Sequence, residues 1–108
     1  MKKSQYLAIA VALVAGSVQA YAQKGDAAKG KEVFEQCGVC HNADSTEAKM
    51  GPGLKGLFKM QKLSTNKKPV NDANVLERIN QGGNGMPPYE EMISAGDKAD
   101  LMAYLKTI

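Results

Sequence analysis

Residues 37–41 read Cys-Gly-Val-Cys-His, and no other short run in the chain restricts its chemistry as tightly. If this segment continues a helix, Cys37, Cys40 and His41 stand at i, i+3 and i+4 and project from one side of it. Two thiols and an imidazole on one side are what covalent attachment of a c-type haem requires. Each thiol adds to one vinyl group of the porphyrin, and the adjoining histidine offers its ring to the iron. The competing uses of such a run are a zinc site, a thioredoxin-like redox pair and a structural disulfide. Zinc takes four protein ligands in a structural site, whereas the chain offers two Cys and one His in total. A thioredoxin-like pair needs strands and helices in alternation, and none can be read here.

The start of the chain bears on where this chemistry takes place. Lys2 and Lys3 precede an apolar stretch from Leu7 to Ala15, followed by the small-residue sites Val18-Gln19-Ala20 and Ala20-Tyr21-Ala22. That is the layout of a secretory signal peptide, with cleavage expected after Ala22 and, as second choice, after Ala20. The apolar stretch is far shorter than the ~20 residues a membrane-crossing helix needs. The expected organisation is therefore a cleaved segment, residues 1–22, and one domain, residues 23–108, in the periplasm and without stable membrane insertion. Loss of Lys2 and Lys3 takes the formal net charge from +3 to +1, so the basic balance of the precursor gives no support for nucleic-acid binding. So short a domain, without Trp, buries a thin core by itself. Haem would supply the missing apolar mass.

Three helical segments can be read beyond the signal region. The first opens at Asp26, a good N-cap, carries Ala27, Gly30, Val33 and Phe34 at helical spacing, and is expected to end near Gly38 to His41. The second starts at Asn71 or Asp72, places Val75, Leu76 and Ile79 on one face, and stops at Gly82-Gly83. The third is expected from Asp97 through Leu101, Met102, Tyr104 and Leu105. No alternating run of β-branched residues suggests a sheet, so the class is all-α with long loops. Residues 59–71 are polar and weakly periodic, and their conformation cannot be read.

The second axial position on the iron is reached by elimination. His41 is the only histidine, which leaves a methionine thioether as the strong candidate. Met102 belongs to an apolar helical stripe, where core packing is the default. Met50 follows His41 too closely for its chain to pass around a porphyrin edge. Met86 stands in Gly82-Gly83-Asn84-Gly85-Met86-Pro87-Pro88-Tyr89, where glycines let the backbone approach a flat ligand and prolines stiffen the exit. Met86 is thus preferred over Met60 and Met92.

With these elements in place the chain resembles the class I cytochromes c in their small bacterial single-haem form, over residues 24–108. The resemblance rests on Cys37 to His41 behind an N-terminal helix, Gly51-Pro52-Gly53-Leu54, Met86-Pro87-Pro88, and a last helix bearing Tyr104. It implies three to four helices wrapped around one covalently bound haem c, the first and last crossing near Gly30 and Tyr104. It also implies that the Pro52 carbonyl accepts a hydrogen bond from Nδ1 of His41, fixing the ring. Some small relatives carry an extra disulfide. Here the haem motif consumes both cysteines, which excludes that subgroup.

An iron filled on both sides by His41 and Met86 leaves no position for oxygen, peroxide or substrate, so the expected role is a one-electron carrier. No paired carboxylates, second histidine or strand-led phosphate loop suggests an enzyme. Two other readings stay open: a gas or redox sensor whose sixth ligand is displaceable, and a subunit of a larger oxidoreductase. A monomer serving redox-partner proteins is expected. Lys49, Lys55, Lys59, Lys62, Lys67 and Lys68 lie in a run without acidic residues, which could steer an acidic partner or form an ordinary solvated loop.

Overall fold

Three α-helices frame the computed structural model, which describes residues 24–108: α1 (Ala27–Val33), α2 (Asp72–Gln81) and α3 (Ala95–Leu105). Short 3-10 turns lie at Phe34–Gln36 and Leu57–Lys59. The described residues form no strand, only isolated β-bridges between Lys62 and Pro69 and between Gly83 and Met86. The all-α class is thus the one observed. The expected signal peptide, residues 1–22, lies outside the described residues.

Each helix begins where a short polar side chain can satisfy otherwise orphaned N–H groups. The Asp26 carboxylate accepts from the N–H of Ala28 at 2.9 Å and of Lys29 at 3.3 Å. Asn71 Oδ1 accepts from Asn74 N at 2.8 Å. Ser94 Oγ accepts from Asp97 N at 3.1 Å, so α3 starts two residues ahead of the expected Asp97. The cap is the serine, and Asp97 supplies a first-turn carboxylate instead.

The other displaced boundary concerns the haem motif. Regular α1 stops at Val33 rather than running to residues 38–41. Cys37 N and Gly38 N both donate to Phe34 O, and Cys40 N and His41 N both donate to Cys37 O at 3.1 and 3.0 Å. Gly38 and Val39 are weak helix formers, and the chain tightens into consecutive turns there. The bond from His41 to Cys37 is nevertheless of the i to i−4 kind, so the local helical spacing of Cys37, Cys40 and His41 survives the loss of the regular helix.

α1 and α3 cross where the first residue of the pair has no side chain. Gly30 is buried, and a Cβ there would overlap the Asp100 carbonyl oxygen and lie 2.8 Å from Tyr104 Cβ. Beside the crossing the Phe34 and Tyr104 rings meet at 5.4 Å with 58° between planes. Asp26 N donates to Asp100 Oδ1 at 2.8 Å. The far end of α3 is tied down by Gly56 N donating to Ile108 O at 3.0 Å and by the Lys106–Asp72 ion pair at 2.9 Å.

The buried apolar residues are Phe34, Leu57, Val75, Ile79, Ile93, Leu101, Met102 and Leu105. Val75 and Ile79 form the inner face of α2 as expected, with Leu76 half-buried beside them. Segment 59–71 is a narrow loop folded back on itself. Val70 N donates to Gln61 O at 3.0 Å and Leu63 N to Lys68 O at 2.8 Å, with Lys67 in the left-handed region at φ 60°. Leu63 is half-buried while its neighbours are exposed, which is why no helical period could be read there.

Candidate haem site

A cavity of about 460 Å³ opens between these elements, well inside the range of about 300–1,000 Å³ for cofactor and small-molecule sites. Its apolar wall is the core itself: Phe34, Leu57, Val75, Ile79, Leu101 and Leu105 all face it. Cys37, Cys40 and His41 reach it from the turns after α1, and Met86 from the loop after α2. The charged residues on its lining are Lys55 and Arg78, with no carboxylate. An apolar wall with two cations and two free thiols fits a flat apolar macrocycle bearing two acidic tails.

His41 is held from two sides. Its Nδ1 lies 2.8 Å from Pro52 O. A carbonyl can only accept, so Nδ1 carries the proton and a neutral ring keeps its lone pair on Nε2. Gly51 packs flat on the same ring: a Cβ at position 51 would stand 2.5 Å from Cε1 and 2.9 Å from Nδ1. The segment is fastened by Gly51 N donating to Cys40 O at 2.8 Å and Leu54 N to Asn42 O at 2.7 Å. Gly53 has no room for a side chain either, because its Cβ would lie 2.5 Å from Ser45 O. Thus Gly51-Pro52-Gly53 is the piece of chain that seats the histidine.

Met86 is presented by a tight turn. Gly83 and Met86 exchange both backbone hydrogen bonds, at 2.9 and 3.0 Å, and Asn84 and Gly85 between them have φ of 54° and 91°. Two successive positive φ values define a type I′ turn, for which Asn-Gly is the preferred pair. Tyr89 N donates to Ile79 O at 3.0 Å and Glu90 N to Asn80 O at 3.2 Å, returning the chain to α2. Met60 also borders the cavity but is 43 % exposed, Met92 is 66 % exposed and off the lining, and Met102 is buried in the core. Met86 is half-buried, lies on the cavity and packs against the core.

Burial, and secondarily the neighbouring Cys40, push the Cys37 thiol above its ordinary 9.0. Burial comes first for Tyr89 too, followed by Cys37 and Cys40, and together they raise its phenol above 10.0. Sequence reasoning missed three neighbours of the site. Lys49 Nζ donates to Gly38 O at 2.8 Å, Met50 Sδ lies 3.8 Å from Cys40 Sγ, and Arg78 reaches the Met86 loop. Only Arg78 carried a signal, as the single arginine among 14 basic residues.

The cytochrome c family model matches residues 27–108. The chain is 32 % identical over 102 residues to cytochrome c of Gossypium barbadense, covering 79 % of this chain and 92 % of that protein. It is 34 % identical over 97 residues to cytochrome c2 of Blastochloris viridis, covering 75 % and 76 %. To cytochrome c2 of Rhodomicrobium vannielii it is 29 % identical over 123 residues, covering 99 % and 97 %. Fold, site and relatives agree, and the chain belongs to the cytochrome c family, class I. Members of that family are electron carriers rather than enzymes, and carry one covalently bound haem c.

Proposed function

We propose that the chain is exported by residues 1–22, cleaved after Ala22, and works in the periplasm as a monomeric one-electron carrier. Cys37 and Cys40 hold the haem by thioethers, and His41 Nε2 and Met86 Sδ are its axial ligands. The observation that carries this reading is the seating of His41: Nδ1 committed to Pro52 O at 2.8 Å, with Gly51 against the ring and Met86 on the same cavity. A haem bound there would supply one-electron exchange between ferric and ferrous iron. Pro52 fixes the tautomer, the Asn84-Gly85 turn delivers the thioether, and the apolar wall keeps water from the centre. A thioether ligand and burial both favour the ferrous state. Lys55, Lys59 and Lys62 are exposed and free of carboxylate partners among the described residues, whereas Lys68 is paired with Glu77 at 2.7 Å. These three lysines steer the protein to an acidic redox partner.

The test is Met86→Ala in the holoprotein. It should abolish the sulfur-to-iron charge-transfer band of the ferric form, lower the reduction potential and let carbon monoxide bind the ferrous form. Met60→Ala and Met92→Ala should do none of these. A band that persists in Met86→Ala would show that another ligand holds the iron and refute the ligand set, and carbon monoxide binding to the wild-type ferrous protein would favour a sensor. Peptide sequencing of the exported protein should begin at Gln23.

A further inference from the structure

Met86 sits on a turn whose two ends are attached to α2 in different ways. The outgoing end is held by backbone bonds from Tyr89 and Glu90 to Ile79 and Asn80. The incoming end leaves α2 through Gly82, whose φ of 66° breaks the helix, and continues into Gly83. Its only side-chain tie among the described residues is Arg78. The guanidinium places Nη1 3.2 Å from Gly82 O and Nη2 3.5 Å from Gly83 O.

Three features make this contact more than a helix cap. First, Gly83 is the residue that exchanges both backbone bonds with Met86, so Arg78 reaches the segment directly paired to the methionine. Second, the contact is forked, one nitrogen to each of two successive carbonyls, which a planar guanidinium can span and an ammonium cannot. Third, the carbonyls lie at the C-terminal end of α2, where the helix dipole favours a cation. Arg78 is part-buried and also faces the cavity. A side chain added at Gly83 would press on it, since a Cβ there stands 3.0 Å from Nη1.

We infer that Arg78 is the positioning residue of the Met86 turn, holding the thioether in place through the Gly82 and Gly83 carbonyls. The inference rests on Met86 being the iron ligand. Without the fork, the turn swings about its remaining attachment at Tyr89, and Met86 yields more readily to an added ligand.

The experiment titrates the ferric holoprotein with neutral imidazole, following the sulfur-to-iron band. Arg78→Gln should bind imidazole about tenfold more tightly than wild type, equivalent to about 1.4 kcal/mol. Arg78→Lys, which keeps the charge but loses the fork, should still bind several-fold more tightly, and it carries the comparison if Arg78→Gln fails to take up haem. Asp72→Asn, which breaks the ion pair to Lys106 at the other end of α2, should lower thermal stability without changing imidazole affinity. Wild-type imidazole affinity in both Arg78 variants, or an equal gain in Asp72→Asn, would overturn the inference. A wild-type protein lacking the band would overturn the ligand reading itself, and this inference with it.

Discussion

The same substitution, Gly to Ala, should have opposite effects at two helical positions. In a helix interior it ordinarily stabilises by about 0.5–1 kcal/mol, because glycine loses more backbone freedom on folding. At Gly96, in the first turn of α3, a Cβ would meet nothing within 4 Å, so part of that gain should appear with no steric cost against it. At Gly30 a Cβ would overlap the Asp100 carbonyl oxygen and approach Tyr104 Cβ to 2.8 Å, both on α3. The obstruction is largely backbone, so α1 and α3 must part. Overpacking of this kind costs about 1–3 kcal/mol, and loosening the Phe34–Tyr104 ring contact about 0.5–1.5 more. Net of the propensity gain, Gly30→Ala should lose about 0.5–4 kcal/mol, against the ~4–13 kcal/mol expected for a domain of this size. At about 4–8 °C per kcal/mol, the ferric holoprotein should melt at least ~2 °C lower by circular dichroism. Gly96→Ala should melt a few degrees higher. A Gly30→Ala protein melting at or above wild type would show that the crossing is loose and that glycine is not required there.

Gly51→Ala should displace the His41 ring from Pro52, since the new methyl would lie 2.5 Å from Cε1; the expected loss is about 1–3 kcal/mol, read in denaturant unfolding, and an unchanged midpoint counts against the seating described. Acid-acetone extraction should leave haem on the wild-type chain, because thioethers survive denaturation, and Cys37→Ala should lower holoprotein yield; haem released into solvent would contradict covalent attachment. Second-order electron transfer to an acidic partner should slow as salt rises and the Debye length falls from ~10 Å at 0.1 M to ~3 Å at 1 M. Replacing Lys55, Lys59 and Lys62 by Gln should reproduce much of that loss at low salt, and a salt-independent rate would leave the segment as solvated loop.

What could be read from the sequence was what local chemistry determines. Asp26 and Asn71 cap helices because their side chains reach N–H groups two or three residues ahead. Gly82-Gly83 ends α2 because Gly82 takes a positive φ. The candidate site was legible for a related reason: Cys37, Cys40 and His41 are brought together by a single turn of backbone. What escaped was decided elsewhere in the molecule. Ser94 outcompetes Asp97 as a cap where Ile93 enters the core. The loop at 59–71 is set by backbone pairing of Gln61 with Val70 and by Leu63 turning inward, neither of which leaves a period. Lys49 and Met50 meet the haem motif only because Gly51 N binds back to Cys40 O. The Asn84-Gly85 pair was a type I′ signal in plain view, obscured by the glycines around it.

The packing also says why a chain with so small a core would depend on its cofactor. Of the eight buried apolar residues, six line the cavity, and only Ile93 and Met102 pack away from it. A haem in that space would lie against Val75, Ile79, Leu101 and Leu105. It would also join α2 to α3, which touch each other little and meet mainly across the cavity. The crossing of α1 on α3 does not depend on the cavity in this way, because Gly30, Asp100 and Tyr104 meet directly. The fold thus divides into a helix pair held by its own contacts and a second half, α2 with the Met86 turn, whose place is set by what it closes upon.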